Sequence, residues 1–92
     1  MLTRQTGNDV VLEHEVLRLF AANTRAALVR LKSAEGTARR ETAHLIVGSA
    51  RAVGAAEVAQ LARDIEHGGN EMAALERAVA DALAFVDAHV KG

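Results

Sequence analysis

The chain has 92 residues and a formal net charge of −1, and half of its residues are apolar. A chain of this length fits one domain with one shared core. Because it contains no cysteine, it has no disulfide framework, thiolate nucleophile or zinc–thiolate centre. Its basic and acidic residues are interleaved, which disfavours nucleic-acid binding.

Targeting and membrane patterns are also missing from the sequence. No apolar run approaches the roughly 18 residues that a membrane span needs. The segment 1–8 has no apolar core of the kind that a secretory signal carries. We therefore expect a cytoplasmic protein without a membrane partner.

Two helical patterns occupy the first half of the chain, and no proline interrupts them. The first begins near Asn8 or Asp9, both good N-cap residues, and ends near Gly36. The second starts at Thr37 as its predicted N-cap and runs to Gly54, a residue typical of left-handed helix ends.

Two further helical patterns fill the second half. The third ends at the pair Gly68-Gly69, which suits a tight turn and not a helix interior. The fourth is predicted to be capped by Asn70 and to fray toward Lys91 and Gly92. Apolar residues in both recur at steps of three and four, as expected for helices that bury one face.

Four amphipathic helices with short connections predict an all-α fold, an antiparallel up-down-up-down four-helix bundle. The regular spacing of apolar residues is interrupted at Ala21–Thr24, where Asn23 and Thr24 are able to cap a new start. A break near the middle of helix one is therefore an alternative to a continuous helix. No linker or internal repeat divides the chain. We expect one domain over residues 1–92 with its core at about 10–90.

The second helix carries a chemically mixed surface around His44. At about 100° per residue its apolar residues gather in one sector, and His44 points roughly the opposite way. The predicted neighbours of His44 on the outward face, at steps of three, four and seven, are Arg40, Val47, Gly48 and Arg51.

Gly48 is the unusual residue on this face, because a glycine inside a helix costs about 1 kcal/mol relative to alanine. One turn from an exposed histidine, a missing side chain would let another molecule approach the imidazole. The alternative is a glycine that admits a neighbouring helix.

The imidazole of an exposed histidine is a good nucleophile near neutral pH, because a ring nitrogen keeps a free lone pair. By spacing, Arg40 and Arg51 are suitable cations for a phosphoryl group that His44 would accept. The alternative is an ordinary solvent-facing histidine among surface ion pairs.

Residues 43–50, with the sequence AHLIVGSA, resemble the pattern A-H-x-L-K-G-S-A of histidine-containing phosphotransfer (HPt) domains, and the resemblance extends from about Val16 to Val90. It implies that His44 accepts a phosphoryl group on Nε2 from an aspartate of one receiver domain and returns it to another. The implied partners are receiver domains and a hybrid histidine kinase. The receiver brings the magnesium, so we expect no metal, no cofactor and no autonomous kinase activity.

The resemblance also assigns supporting residues. Glu66 falls where several family members place a carboxylate or amide against Nδ1 of the histidine. The family usually has a lysine three residues after the histidine, where this chain has Val47. Arg40, Arg51 and Arg63 are candidate replacements for that cation, and Val47 is alternatively part of an apolar docking patch.

Two other functions stay open from the sequence. One is a helical adaptor that binds receiver or kinase domains without carrying phosphate, and the other is a structural helical dimer, although we expect a monomer. The remaining histidines, His14, His67 and His89, lack the spacing of a metal site and are interpreted as structural or surface residues.

Overall fold

The computed structural model describes the backbone of residues 9–91 and the side chains of residues 13–90, and this part of the chain is helical with no strand. The four helices are α1 (Asp9–Ser33), α2 (Gly36–Val53), α3 (Ala56–Glu66) and α4 (Met72–Lys91). Each helix packs against the next one along the chain, and α4 closes the bundle on α1. The predicted all-α four-helix bundle is confirmed. The proposed cap at Asn8 and the fraying at Gly92 lie outside the described residues.

Helix α1 is continuous over 25 residues, so the break considered near Ala21–Thr24 does not occur. The core-facing residues Phe20, Thr24, Ala27 and Leu31 step by four, three and four, and Thr24 is only 1% exposed. A threonine thus occupies a core position of an ordinary helical stripe, which is why the spacing of apolar residues is interrupted there.

Two predicted N-cap residues lie one or two positions away from the actual cap in the sequence. The residue at the N-cap of α2 is Glu35, without a side-chain capping bond, and Thr37 already lies in the first turn. At the start of α4, the carbonyl of Glu71 accepts the bond from the Leu75 N–H at 3.1 Å, so Asn70 precedes the cap position. In both cases a favourable residue type lies next to the position where the backbone enters the helix.

The helix ends at Gly54 and Gly68 are formed as predicted, with φ of +80° and +101°. Beyond α2, the N–H of Ala55 donates to the Ala50 carbonyl at 2.8 Å and the N–H of Gly54 to the Arg51 carbonyl at 3.2 Å. This pair of bonds is a Schellman motif, and it satisfies carbonyls that would otherwise lack a partner.

The core is aliphatic and receives a large side chain from each helix: Leu31, Ile46, Ile65 and Leu75, each at most 1% exposed. Fully buried alanines lie on α2 and α3, the two helices with the most extensive mutual contact. Small side chains let two helix backbones approach closely. No helix in the described part of the chain is long and apolar enough to cross a membrane.

We expect Gly54→Ala to lower the free energy of unfolding by about 1 kcal/mol, because a Cβ is strained at positive φ. Denaturant unfolding followed by circular dichroism measures this. Gly48→Ala is the matched control: Gly48 is helical and a built Cβ meets no atom within 4 Å, so this change should raise stability by up to about 1 kcal/mol. A change of the same sign in the free energy of unfolding of both variants would contradict the different backbone requirements of Gly54 and Gly48.

Candidate functional site

His44 lies on α2 with 69% of its side chain exposed, and its Nδ1 is 2.8 Å from Oε2 of Glu66, the last residue of α3. The Glu66 side chain is only 24% exposed. A carboxylate accepts a hydrogen bond from Nδ1–H and therefore favours the tautomer that carries its proton there. In that tautomer Nε2 keeps a free lone pair, and the exposed ring offers it to another molecule.

The hairpin of α2 and α3 explains why these two residues meet. His44 lies ten residues before Gly54 and Glu66 twelve residues after it, so the antiparallel return of the chain brings them level. Ala43 on α2 and Ala62 on α3 are both fully buried, which keeps the two backbones close.

His44 and Glu66 border an open depression, which we call the His44 depression. Helical side chains lean toward the N-terminus of their helix, so the imidazole lies over the preceding turn of α2. The other lining residues are Thr37, Arg40, Glu41, Leu45 and His67. A second depression adjoins it and shares Arg40, Glu66 and His67.

Of the three candidate arginines, the structure brings Arg40 to the His44 depression. Arg40 is exposed, and its Nη2 donates a long hydrogen bond of 3.4 Å to Thr37 Oγ1. Arg51 is exposed two turns further along α2, and Arg63 is partly buried on α3; neither lines this depression.

The prediction that Val47 lies on the outward face is wrong, because its side chain is 3% exposed and belongs to the core. Helix α2 packs against both α1 and α3, so its buried sector is wider than the stripe seen on the helical wheel. Val47 therefore does not enlarge a docking patch. The exposed apolar side chain beside His44 is Leu45, at 54%, which the sequence analysis did not single out.

Gly48 is exposed, one turn after His44. Apart from the backbone of its own helix, a Cβ on this residue meets no heavy atom of the described residues within 4 Å, so packing among them does not require glycine here. The helix-packing alternative is therefore wrong, and the space above Gly48 is open to another molecule.

His67, interpreted from the sequence as a structural or surface residue, is exposed on the rim of the His44 depression. Its position next to Glu66 in the chain was the only feature of the sequence that could have placed His67 at this site. His14 and His89 are placed elsewhere: they contact each other between α1 and α4, with ring centroids 5.8 Å apart. Within residues 13–90, no three His, Cys, Asp or Glu side chains are grouped to hold a metal ion.

A four-helix bundle that exposes a histidine held by a carboxylate has the architecture of a phosphotransfer module. The family model for the Hpt domain matches residues 15–90. The chain therefore belongs to the histidine-containing phosphotransfer family, whose domains act in phosphorelays with receiver domains and kinases. Comparison with curated proteins and comparison with solved structures each found no match.

Removing the carboxylate in Glu66→Ala should shift the neutral His44 ring toward the tautomer protonated on Nε2, because Nδ1–H loses its acceptor. Long-range ¹H–¹⁵N correlation spectra of the imidazole distinguish the two tautomers. Glu57→Ala, which removes an exposed carboxylate from the first turn of α3, should leave the ring unchanged. An identical His44 spectrum in wild type and Glu66→Ala would show that the contact does not select the tautomer.

Proposed function

We propose that this protein is a phosphorelay intermediate that accepts a phosphoryl group on Nε2 of His44 from the aspartyl phosphate of a receiver domain and passes it to the aspartate of another receiver. The observation that carries the proposal is the 2.8 Å contact between Nδ1 of an exposed histidine and the carboxylate of Glu66. This contact leaves Nε2 as the free nucleophile. Membership of the Hpt family supports the same chemistry.

In the first step, the lone pair of Nε2 attacks phosphorus while the bond from phosphorus to the aspartate oxygen breaks. The electron pair of that bond leaves with the receiver carboxylate. His44 keeps its proton on Nδ1, and the positive charge that develops on the ring is stabilised by Glu66. The second step is the reverse reaction with a different receiver, so neither water nor a proton is consumed.

The surface that a receiver would cover is formed by α1 and α2. Leu45 is 54% exposed beside His44, and Gly48 leaves open space one turn further on. A groove between the two helices continues this surface and is lined in part by Asn23, Ala26 and Ser49. The small side chains and the exposed Leu45 suit the close approach of a protein surface.

Several finer parts of the proposal stay predictions. They are a hybrid histidine kinase as the source of the phosphoryl group, a cytoplasmic location and a monomeric state. Among the arginines, Arg40 is the favoured cation for the phosphoryl oxygens because it borders the same depression as His44.

Phosphotransfer from a panel of phosphorylated receiver domains tests the function. Wild type should acquire acid-labile label, and His44→Gln should lose it entirely while keeping its helical circular-dichroism spectrum, because the substitution removes the nucleophilic ring at an exposed position. His89→Gln, an exposed histidine on α4, is the matched control and should label normally. A receiver that binds wild type and His44→Ala equally well, while no active donor transfers label, would favour the adaptor alternative.

Gly48→Gln should slow transfer from a receiver by about tenfold or more, because the added side chain obstructs the approach to Nε2. The initial rate of labelling measures the effect. Ala80→Gln introduces the same side chain at an exposed position on α4 and should have no effect. Equal rates for Gly48→Gln and wild type would show that Gly48 is not needed to leave space for an approaching receiver.

A further inference from the structure

Phosphorylation of His44 would place negatively charged oxygens at the surface of α2, and position 47, where the family resemblance expects a lysine, carries no cation. Position 47 holds a valine whose side chain is 3% exposed, inside the core. A cation that stabilises the phosphoryl oxygens must therefore come from a position other than 47.

The charged and titratable side chains around the His44 depression belong to two helices. Helix α2 contributes Arg40 and Glu41 to its lining, and the end of α3 contributes Glu66 and His67. In the adjoining depression Arg39 joins this set. The carboxylate of Glu66 accepts the bond from Nδ1 of His44, and the side chains lining the His44 depression that can offer a positive charge to a phosphoryl group are Arg40 and His67.

His67 is suited to this role by its position at the end of α3. Its backbone is held there, since its N–H donates to the carbonyl of Arg63 at 3.1 Å, while its side chain is exposed. An imidazole donates one hydrogen bond when neutral and two when protonated, and only the protonated ring adds charge. Unlike an arginine or a lysine, it supports an anion more strongly in weakly acidic solution than in alkaline solution.

We propose that His67, together with Arg40, contacts the phosphoryl oxygens of phosphorylated His44 and replaces the cation that is missing at position 47. This inference rests on the proposed function. It makes the share of phosphoryl groups held on His44, relative to a receiver, depend on the charge of a second histidine.

The charge of His67 can be observed without any protein partner. Phosphoramidate phosphorylates histidine directly, with ammonia as the leaving group, and ³¹P spectra of wild type and His44→Gln identify the label on His44. At a constant pH of about 7, the ¹⁵N shifts of the His67 ring should then move toward the doubly protonated form, because a nearby anion favours the charged ring. The rings of His14 and His89 serve as internal controls and should not change.

Substitutions at position 67 distinguish an electrostatic role of His67 from a structural one. With an active receiver, His67→Gln should shift the phosphoryl equilibrium toward the receiver by about threefold to tenfold at pH near 6.5, with a smaller shift at pH near 8.5. His67→Arg should restore the phosphorylated fraction, and its advantage over His67→Gln should be the same at both pH values. His89→Gln is the control for loss of an exposed histidine.

The outcomes distinguish this inference from the function on which it rests. Label on His44 with an unchanged His67 ring, or with the same equilibrium in His67→Gln as in wild type, would overturn the role of His67 and leave the relay function intact. If neither phosphoramidate nor any active receiver labels His44, the proposed function and this inference both fail.

Discussion

The close packing of α2 against α3 is the constraint on which the site depends. Fully buried alanines on both helices, among them Ala43, Ala50 and Ala62, keep the two backbones near each other. The hairpin that begins at Gly54 returns α3 so that its last residue lies level with His44. With larger residues at these alanines the helices would separate, and the 2.8 Å contact between His44 and Glu66 would lengthen with them.

His44 and Glu66 differ in exposure in the way that a phosphocarrier role would require. His44 projects into solvent, whereas Glu66 is mostly covered, so one nitrogen of the ring is held by the protein and the other is offered to a partner. Under the proposed function such a site needs no enclosing cleft, because a docked receiver would complete the surroundings of the phosphorus atom. The same open face would then be available to donors and acceptors alike, as the proposed transfer between two receivers requires.

The periodicity of the sequence predicted the four helices, and glycine identified the ends of α2 and α3, because both signals are local. The errors arose where tertiary packing decides the result: Thr24 lies in the core of a continuous α1, and Val47 is covered by a second neighbouring helix. The proximity of Glu66 to His44, 22 residues away, was implied only by the family resemblance. No local pattern could place His67 beside them, and the chemical roles of these residues stay predictions.

The Schellman motif at Gly54 has a consequence for the energetics of complex formation. Its two backbone bonds, Ala55 to Ala50 and Gly54 to Arg51, fix the end of α2 at the connection of two residues that leads into α3. The backbones that carry the imidazole and its carboxylate are therefore arranged before any partner arrives, so little backbone entropy is lost when one binds. This protein would act as a rigid template in the encounter, so loop ordering and domain rearrangement during transfer would be confined to the receiver. Brief complexes with rapid exchange of partners are compatible with such a surface.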